Sequence, residues 1–482
     1  MITTIRAGIS VAMLAGFYVF AFGIVAALAA LAAWLWRTYP GGLAVQLSWL
    51  VLAVAGGILL ALWKVARAKP DDPVGVEVTP AQATELWAQV RGIAAEVGTR
   101  APDEIRLVGE VNAAVSERAT LMGLRGGRRT LYLGLPLVQG LTVGQLRAVL
   151  AHELGHYSHS HTRLGELSYR GLRTMVVTII QVGNSSLTGW LLRGYLRLYL
   201  LVHHAVQRRQ ELEADRATVR VAGRQTAVSA LRELRPLDKA WNYYLDNYVG
   251  WGLDSGAAPA DIMRRFPDLL AGRGKELAET RSAPPDAAGS RWDTHPPIAQ
   301  RIAVVEAEPD PGVPPDDRPA SVLLPDLAEA AAAVEKITFD FGQLPRVSFE
   351  DYTAQAMRTR SKTDADALYR TAARVAGVPN GSLGTVLDLI EAGRAAQLRD
   401  ALTPRTPDPD ARLVAELRNA LSLALAEVGS AHFVHSWSGP PTIVGRNGGE
   451  LDVQPLILML AARPPDVATV RASLTAMGVS LT

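Results

Sequence analysis

Two long uncharged apolar runs near the N-terminus are the strongest constraint on the fold of this chain. No charged residue lies between Arg6 and Arg37, and none lies between Arg37 and Lys64. A helix that crosses a bilayer needs about 20 consecutive apolar residues, and both runs reach that length. The turn-forming sequence Tyr-Pro-Gly-Gly at 39–42 separates them. The sequence therefore predicts a hairpin of two membrane-spanning helices over residues 1–70.

The alternative for the first run is a cleaved signal peptide. The apolar core of a signal peptide is typically about 7–15 residues, whereas this run is longer and a second run follows it. Basic residues flank the hairpin on its outer sides, Arg6 before it and Lys64, Arg67 and Lys69 after it, while Arg37 alone lies in the connecting loop. We expect a multi-pass protein of the plasma membrane, and the positive-inside rule predicts that the chain from residue 70 onward is cytoplasmic.

A third apolar region covers residues 174–206, and its topology stays open. Polar residues at 183–186 interrupt it, and Arg193 and Arg197 follow. Each half is shorter than a comfortable membrane span. The two interpretations are a second, broken hairpin across the bilayer and a pair of helices that lie on or partly in the membrane surface. We favour the membrane-surface helices.

The composition excludes several functional classes. The chain has 482 residues, with 49 basic and 47 acidic side chains and a net charge of +2, which gives no indication of nucleic-acid binding. Apolar residues make up 49% and charged residues 20%, which argues against a disordered chain. Cysteine is absent, so disulfides, thiolate metal sites and cysteine nucleophiles are excluded. No sequence feature indicates the oligomeric state.

Periodicity predicts the elements that follow the hairpin. Apolar spacing predicts a helix over 81–98, short strands within 105–116 and 129–135, and a helix at about 200–222. Thr142 can cap a further helix that runs to about Tyr157. Further helical patterns follow at 326–336, 349–377, 384–401, 409–427 and 466–477, with a glycine- and proline-rich candidate hairpin at 438–450.

The string HELGH, from His152 to His156, lies within the helix predicted over 142–157. Residues four apart share one helix face, so both imidazoles can point at one metal ion. Zinc binds histidine nitrogen at about 2.0–2.1 Å, and a catalytic zinc usually has three protein ligands. Glu153 lies beside the first ligand, which is the position of the general base in HExxH metallopeptidases. The motif therefore predicts zinc-dependent hydrolysis.

The third zinc ligand must be His, Glu or Asp, because the chain has no cysteine. The string ELEAD places Glu211 and Asp215 four apart, on one face of the helix near 200–222. Glu211 could complete a His-His-Glu site, and Asp215 could accept a hydrogen bond from the far nitrogen of a ligand imidazole. Taken alone, ELEAD is also typical of a solvated helix surface.

Three segments share a family pattern: LTVGQLRAVLAHELGHYSHSH (141–161), RRQELEADRATVRVAG (208–223) and THPPIAQRI (294–302). Together they resemble the membrane-bound gluzincin metallopeptidases of the HtpX and CAAX prenyl protease type. VNAA (111–114) and LGLPLV (133–138) resemble the two strands that precede the zinc helix in that family. The resemblance covers about residues 1–305.

The resemblance implies one Zn²⁺ per chain, bound by His152, His156 and Glu211. The HPxxxxR signature of the family matches His295 and Arg301, which implies that both lie near the reaction site, His295 in a role such as transition-state stabilisation. The chain departs from the family at 207–208, where Gln-Arg replaces the frequent Ser-Arg, and residues 320–482 match nothing in it.

These observations predict a mainly α fold with a small β-sheet (α+β). The expected parts are the hairpin at 1–70, a gluzincin-like metallopeptidase domain at 71–306, a linker at 307–319 rich in proline and aspartate, and a helical or α+β domain at 320–482. The aromatic segment 241–251 is either a wall of the substrate groove or, as we favour, part of a packed core or membrane interface.

The predicted function is an integral-membrane zinc metalloendopeptidase that cleaves membrane or membrane-proximal proteins. The alternative is a non-catalytic membrane scaffold in which zinc is structural and the C-terminal domain binds a partner. A structural zinc has four protein ligands, whereas three are found here, and a scaffold has no need for Glu153. The resemblance implies either membrane quality control or prenyl-peptide processing, and of the two we favour quality control or regulatory proteolysis.

Overall fold

The computed structural model describes residues 2–67, 73–120, 125–157, 172, 175–180, 187–285, 295–402 and 408–481. Across these ranges the fold is mainly helical with small β-sheets, which confirms the predicted fold class. The chain divides into two compact units. The first comprises Met1–Asp238 and Ala278–Thr338, and the second comprises Lys239–Leu277 and Phe339–Thr482.

The helices and strands are numbered here in chain order. The helices are α1 (Ile2–Thr38), α2 (Gly42–Arg67), α3 (Thr84–Glu96), α4 (Leu135–Gly140), α5 (Val143–Gly155), α6 (Leu187–Ala222), α7 (Arg224–Tyr244), α8 (Ile262–Gly272), α9 (Gly274–Ser282), α10 (Ile298–Ala307), α11 (Leu327–Thr338), α12 (Phe349–Ala376), α13 (Leu383–Glu391), α14 (Ala395–Leu402), α15 (Pro409–Glu427), α16 (Gln454–Ala461) and α17 (Val467–Ala476). The strands are β1 (Val76–Val78), β2 (Glu104–Val108), β3 (Ala113–Thr120), β4 (Arg125–Gly134), β5 (Ala258–Pro259), β6 (Arg346–Val347), β7 (Ala431–Val434) and β8 (Thr442–Gly445).

Helices α1 and α2 correspond to the two apolar runs. Within them, Ala15–Thr38 and Gly42–Leu60 are long and apolar enough to cross a membrane. Large apolar side chains on their outer faces are exposed, among them Val19, Trp49 and Leu52. Such a continuous exposed apolar surface is compatible with membrane anchoring.

The predicted apolar region 174–206 contributes to the same helical layer. Residues 175–180 are helical and 187–206 form the first part of α6, whereas 174 and 181–186 lie outside the described residues. A shared core joins these helices to α1 and α2, and its buried members are Phe17, Ala21, Val54, Ile58, Met175, Ile179, Leu192 and Tyr199. Helix α6 then continues without a break to Ala222, so the helix that packs on α1 also carries the ELEAD string.

A four-stranded sheet lies in the first unit, with the strand order β1-β2-β4-β3. Strands β2 and β4 are parallel, and the β1–β2 and β3–β4 pairs are antiparallel. Among the described residues, β3 is therefore an edge strand of the sheet. The apolar alternation at 105–116 covers most of β2 and the beginning of β3, while the Arg- and Gly-rich start of β4 carries no such alternation.

Thr142 begins α5 as the sequence predicts. Its hydroxyl accepts the backbone N–H of Gln145 at 3.2 Å, and the Gln145 side chain accepts the backbone N–H of Thr142 at 3.0 Å, which forms a capping box. Leu146, Leu150 and Leu154 are buried on the inner face, and the helix ends at Gly155, two residues before the predicted end. The HELGH string therefore lies in its last turns.

Residues 307–319, predicted as a linker, lie inside the first unit. Backbone hydrogen bonds attach this segment to the start of α5, from the N–H of Val143 to the carbonyl of Arg318 and from the N–H of Gly144 to that of Asp316, both at 2.8 Å. Composition alone does not reveal such bonds, because they use only backbone groups.

The second unit has its own aromatic and aliphatic core. Trp241, Tyr244 and Tyr248 of the aromatic segment 241–251 are buried, which corresponds to the packed-core interpretation. Tyr244 lies 5.6 Å from the ring of Phe266, measured between centroids. The β7–β8 pair is antiparallel and contains the first part of the predicted hairpin at 438–450.

Gly155 is the point of close approach between α5 and α6. A Cβ built at this residue would lie 3.4 Å from Cβ of Ala217 and 3.6 Å from Cα of Ala214, which is ordinary van der Waals contact. There is consequently room for a methyl group and not for a larger side chain. The small residue in HELGH therefore allows the close approach of the two helices that carry the HELGH and ELEAD strings.

We expect Gly155→Leu to lower the apparent melting temperature, because overpacking of a core contact costs about 1–3 kcal/mol. Gly155→Ala should leave it within a few degrees. Gly92→Leu is the matched control, since Gly92 is an exposed position of α3 with nothing within 4 Å of a built Cβ. Thermal denaturation of the purified full chain in detergent measures all three variants, and equal effects of Leu at 155 and at 92 would contradict the close approach.

Candidate metal centre

Three side chains from two helices converge at the end of α5. The Nε2 atoms of His152 and His156 are 3.2 Å apart. Glu211 of α6 places Oε2 at 3.3 Å from Nε2 of His152 and Oε1 at 3.3 Å from Nε2 of His156. The i and i+4 spacing within HELGH brings the imidazoles together, and the packing of α5 on α6 adds the carboxylate.

The spacing of these atoms fits a tetrahedral zinc ion. Bonds of about 2.0–2.1 Å in tetrahedral geometry place neighbouring ligand atoms about 3.3 Å apart. The Oε2 atom of Glu211 is also buried and makes no well-aligned hydrogen bond with the described residues, although Nδ1 of His295 lies 3.0 Å from it. A buried carboxylate oxygen without a well-aligned donor is costly unless a cation is bound to it. Two imidazoles and a carboxylate are a donor set that zinc prefers, so the residues present fit this metal.

Asp215 fixes the orientation of the first imidazole. Its Oδ1 lies 3.1 Å from Nδ1 of His152, so Nδ1–H can donate to the carboxylate and Nε2 faces His156 and Glu211. Asp215 is 1% exposed. Burial alone raises the pKa of Asp215, but hydrogen bonds from His152 and Arg301 outweigh it, so this pKa is lowered and the carboxylate is ionised.

Arg301 neutralises Asp215 with two parallel hydrogen bonds. Its Nε donates to Oδ2 at 2.9 Å and its Nη2 donates to Oδ1 at 2.7 Å. Both side chains are almost fully buried, and bidentate geometry of this kind is among the strongest charge-assisted contacts. Arg301 also lies 4.0 Å from Oε2 of Glu211, measured from Nη1. The guanidinium of Arg301 therefore places a positive charge next to Asp215 and within 4.0 Å of the predicted ligand Glu211.

His295 contacts the same carboxylate oxygen of Glu211 from a more exposed position. Its Nδ1 lies 3.0 Å from Oε2 of Glu211, while 66% of its side chain is exposed. The contact with Glu211 raises the pKa of His295 against the opposing effect of burial. An imidazole that touches a predicted ligand and also faces solvent can meet a bound substrate.

Glu153 lies in the same cavity as His152 and Glu211. Burial raises the pKa of Glu153, and the nearby histidines oppose this only in part. For Glu211 the balance is reversed: burial raises its pKa, but close contacts with the nitrogens of His152, His156 and His295 lower it further than burial raises it. Glu211 is consequently ionised, whereas Glu153 is poised to accept a proton nearer neutral pH.

The cavity beside these groups has a polar end and an apolar wall. Its volume is about 100 Å³. Its lining consists of Ala148, Val149, His152, Glu153, Glu211, Asp215, Thr218, Ala227, Ala230, Leu231, Leu234, His295 and Arg301. The apolar wall is formed mainly by one face of α7, which contributes Ala227, Ala230, Leu231 and Leu234. The sequence did not indicate these four residues as part of the site. Their spacing of three and four residues was a detectable signal of an amphipathic helix, but it does not show which surface the helix covers.

Helix α10 is held in place by its apolar side. Ile302 and Val305 pack with Val219 of α6 and with Ala227 and Leu231 of α7 in one buried cluster. Arg301 precedes Ile302 and is thereby directed at Asp215. All seven predicted site residues thus lie together in the structure. His159 and His161 of the family-like segment lie outside the described residues.

Comparison with known families agrees with this geometry. Residues 80–308 match the family described as Peptidase family M48. Neither the search of curated proteins nor that of solved structures gave a match.

We expect Arg301→Gln to destabilise the first unit by about 3–5 kcal/mol, because it leaves the buried charge of Asp215 without its partner. The double variant Asp215→Asn/Arg301→Gln should recover part of this loss, because the uncompensated charge is then removed. Chemical denaturation with the near-ultraviolet signal as readout measures the effect.

Arg216→Gln serves as the control for this pair. Arg216 pairs with Glu308 at 2.8 Å, but both side chains are partly exposed, so the loss should stay within about 1 kcal/mol. A loss in Arg301→Gln no larger than that in Arg216→Gln would contradict a structural role of the buried pair.

Proposed function

Residues 80–308 form a domain of peptidase family M48, and on this premise we propose that the chain is an integral-membrane zinc metalloendopeptidase. Its substrates would be membrane or membrane-proximal proteins. The observation that supports the proposal best is the convergence of His152, His156 and Glu211, whose ligand atoms lie within 4.8 Å of one another. The family assignment indicates a metal-dependent protease, and the three-ligand geometry is that of a catalytic zinc site.

In this proposal His152, His156 and Glu211 bind one zinc ion per chain. When bound, zinc supplies a Lewis acid that lowers the pKa of a coordinated water to about 7 and polarises the peptide carbonyl. Asp215 keeps His152 in the tautomer with a free Nε2, and Arg301 keeps Asp215 ionised. These two residues would act through the ligands rather than on the substrate.

Glu153 is the general base of the proposed reaction. Its carboxylate takes a proton from the attacking water as the C–O bond to the carbonyl carbon forms, and later delivers that proton to the nitrogen of the leaving amine as the C–N bond breaks. The raised pKa of Glu153 suits both transfers, because a base with a pKa nearer neutrality also returns its proton readily. His295, exposed beside Glu211, can donate a hydrogen bond to the negative charge that develops on the carbonyl oxygen.

Two features of the first unit favour an extended peptide substrate. Strand β3 is an edge strand, and an edge can pair with an added strand. It lies near the metal centre, since the hydroxyl of Tyr157, the residue after His156, reaches the carbonyl of Val115. The apolar wall of the cavity would accept an apolar side chain next to the scissile bond, with Leu231 and Leu234 limiting its size.

Membrane integration is part of the same proposal. The exposed apolar faces of α1 and α2 would lie in lipid, and the basic flanks of the hairpin favour a cytoplasmic catalytic domain at the plasma membrane. The exposed side chains Val176, Ile180 and Trp190 extend this apolar surface, which favours contact of the 174–206 region with lipid. Proteins near or in the membrane would then reach the active site most easily, as expected for quality-control or regulatory proteolysis.

We expect Glu153→Gln to retain zinc and lose at least 10²-fold in the cleavage rate, because a general base typically contributes 10²–10⁴-fold. Cleavage of an unfolded protein by the purified full chain in detergent measures the rate, and atomic emission measures the metal. Removal of metal by a chelator should abolish cleavage, and added Zn²⁺ should restore it. Wild-type protein that binds zinc without any cleavage would favour the scaffold alternative.

We expect Glu211→Ala to lose most bound zinc together with activity, because it removes one of three ligands. Glu213→Ala is the matched control: it removes a carboxylate two residues further along the same helix, and the Glu213 side chain forms an ion pair with Arg209 at 3.9 Å instead. Its zinc content should equal that of wild type. Equal zinc contents in both variants would exclude Glu211 as a ligand.

A further inference from the structure

The backbone bonds of the sheet reveal which groups of β3 face its open edge. The N–H of Gly134 donates to the carbonyl of Asn112 at 2.7 Å, and Ala113 stands opposite Leu133 in the register. In an antiparallel ladder, hydrogen-bonded and non-hydrogen-bonded pairs alternate. Ala113, Val115 and Glu117 are therefore in non-hydrogen-bonded pairs, so their N–H and C=O groups point away from β4.

Tyr157 contacts this open edge directly. Its hydroxyl donates to the carbonyl of Val115, and its own backbone carbonyl accepts the hydroxyl of Thr99 at 2.8 Å. Tyr157 follows His156 in the chain, so one side chain spans the distance from the second predicted zinc ligand to the edge strand.

Arg129 holds the tyrosine in this position. It is 5% exposed, and its guanidinium lies 5.0 Å from the centroid of the Tyr157 ring in a cation–π contact. Its Nη1 donates to the hydroxyl of Thr99 at 2.9 Å, and its Nη2 pairs with Oε2 of Glu117 at 2.8 Å. Glu117 is on β3, two residues beyond Val115, so the same arginine binds both the tyrosine and the strand.

We propose that Tyr157 is a positioning residue of the peptidase, which fixes the edge strand β3 at a set distance from the metal centre. The inference rests on the proposed function, because its effect is expressed through a substrate paired with β3. A peptide can pair with the outward backbone groups of Ala113 and Glu117 and with the N–H of Val115, which Tyr157 does not use. Its scissile carbonyl is then placed by the strand, whereas the attacking water is placed by the ligands. Tyr157 connects the edge strand β3 to the predicted zinc ligands and so fixes the distance between them. A displacement of about 1 Å between reacting groups can lower the rate by up to about 10²-fold.

The experiment compares Tyr157→Phe with wild type on a series of peptides that share one scissile pair and are lengthened one residue at a time. For wild type, kcat/KM should rise with length as more of the peptide pairs with β3. In Tyr157→Phe the rise should be reduced by about tenfold for the longest peptide, because one hydrogen bond to the strand is lost. The shortest cleaved peptide should be affected less than twofold, since it makes little use of the strand.

Two controls make the result specific. Tyr132→Phe removes a hydroxyl from the neighbouring strand β4 and should leave the length dependence unchanged. Glu117→Gln weakens the contact of Arg129 with β3 and should shift the length dependence in the same direction as Tyr157→Phe. Zinc content is measured for every variant and should equal that of wild type.

An equal loss of Tyr157→Phe on short and long peptides, no loss on either, or a fall in its zinc content would overturn the inference. In each of these cases metal-dependent cleavage by wild type would leave the proposed function standing. Absence of metal-dependent cleavage by wild type would instead reject the proposed function itself.

Discussion

The structure of the first unit depends on compensating the negative charges of the carboxylates that line its buried cavity. Three carboxylates, those of Glu153, Glu211 and Asp215, line a single cavity, and Arg301 is the one guanidinium that lines it with them. Buried carboxylates are stable only when a cation or a set of donors compensates them. Asp215 accepts two hydrogen bonds from Arg301, whereas Oε2 of Glu211 makes no well-aligned hydrogen bond with the described residues. A divalent cation bound by Glu211 and the two imidazoles, as proposed, would restore the balance, and would then stabilise the fold as well as act in hydrolysis.

The same centre depends on rigid helices rather than on loops. His152 is on α5, and His156 is the C-terminal cap residue of that helix with helical backbone angles. Glu211 and Asp215 are on α6, and each pair uses the four-residue spacing that places side chains on one face. Helix α6 is continuous over 36 residues, so the predicted third ligand is on the same helix as the side chains that pack against α1. Ligands on helices that are fixed by packing at both ends keep their geometry before metal or substrate arrives, which is the condition for fast chemistry.

Much of this site follows from local spacing, and for that reason the sequence predicts it. HELGH and ELEAD each place two functional groups within one helical turn, so a helix prediction is sufficient to predict their convergence on a shared face. Thr142 as a cap is equally local. The apolar wall from α7, the contact of Tyr157 with Val115 and the attachment of residues 307–319 to α5 depend instead on pairings between distant segments. Hydrophobic periodicity does not specify which partner a helix or strand packs against. Backbone hydrogen bonds form with almost any residue type, so the amino-acid composition does not predict them.

The spacing of the HPxxxxR signature has a physical reason in this fold. Pro297 precedes the first residue of α10, and its carbonyl accepts the N–H of Arg301, so Arg301 lies in the first turn while His295 lies just outside the helix. Glu211 and Asp215 are four residues apart on α6, which corresponds to a rise of about 6 Å. His295 contacts the first of these acids and Arg301 contacts the second. One short segment thus places His295, which can gain or lose a proton, against the predicted ligand Glu211. The same segment places Arg301, which is always charged, against Asp215, the residue that orients His152. An exchange of the two residue types would put the permanent charge against the metal ligand, where it competes with zinc, and would leave Asp215 dependent on the protonation of a histidine.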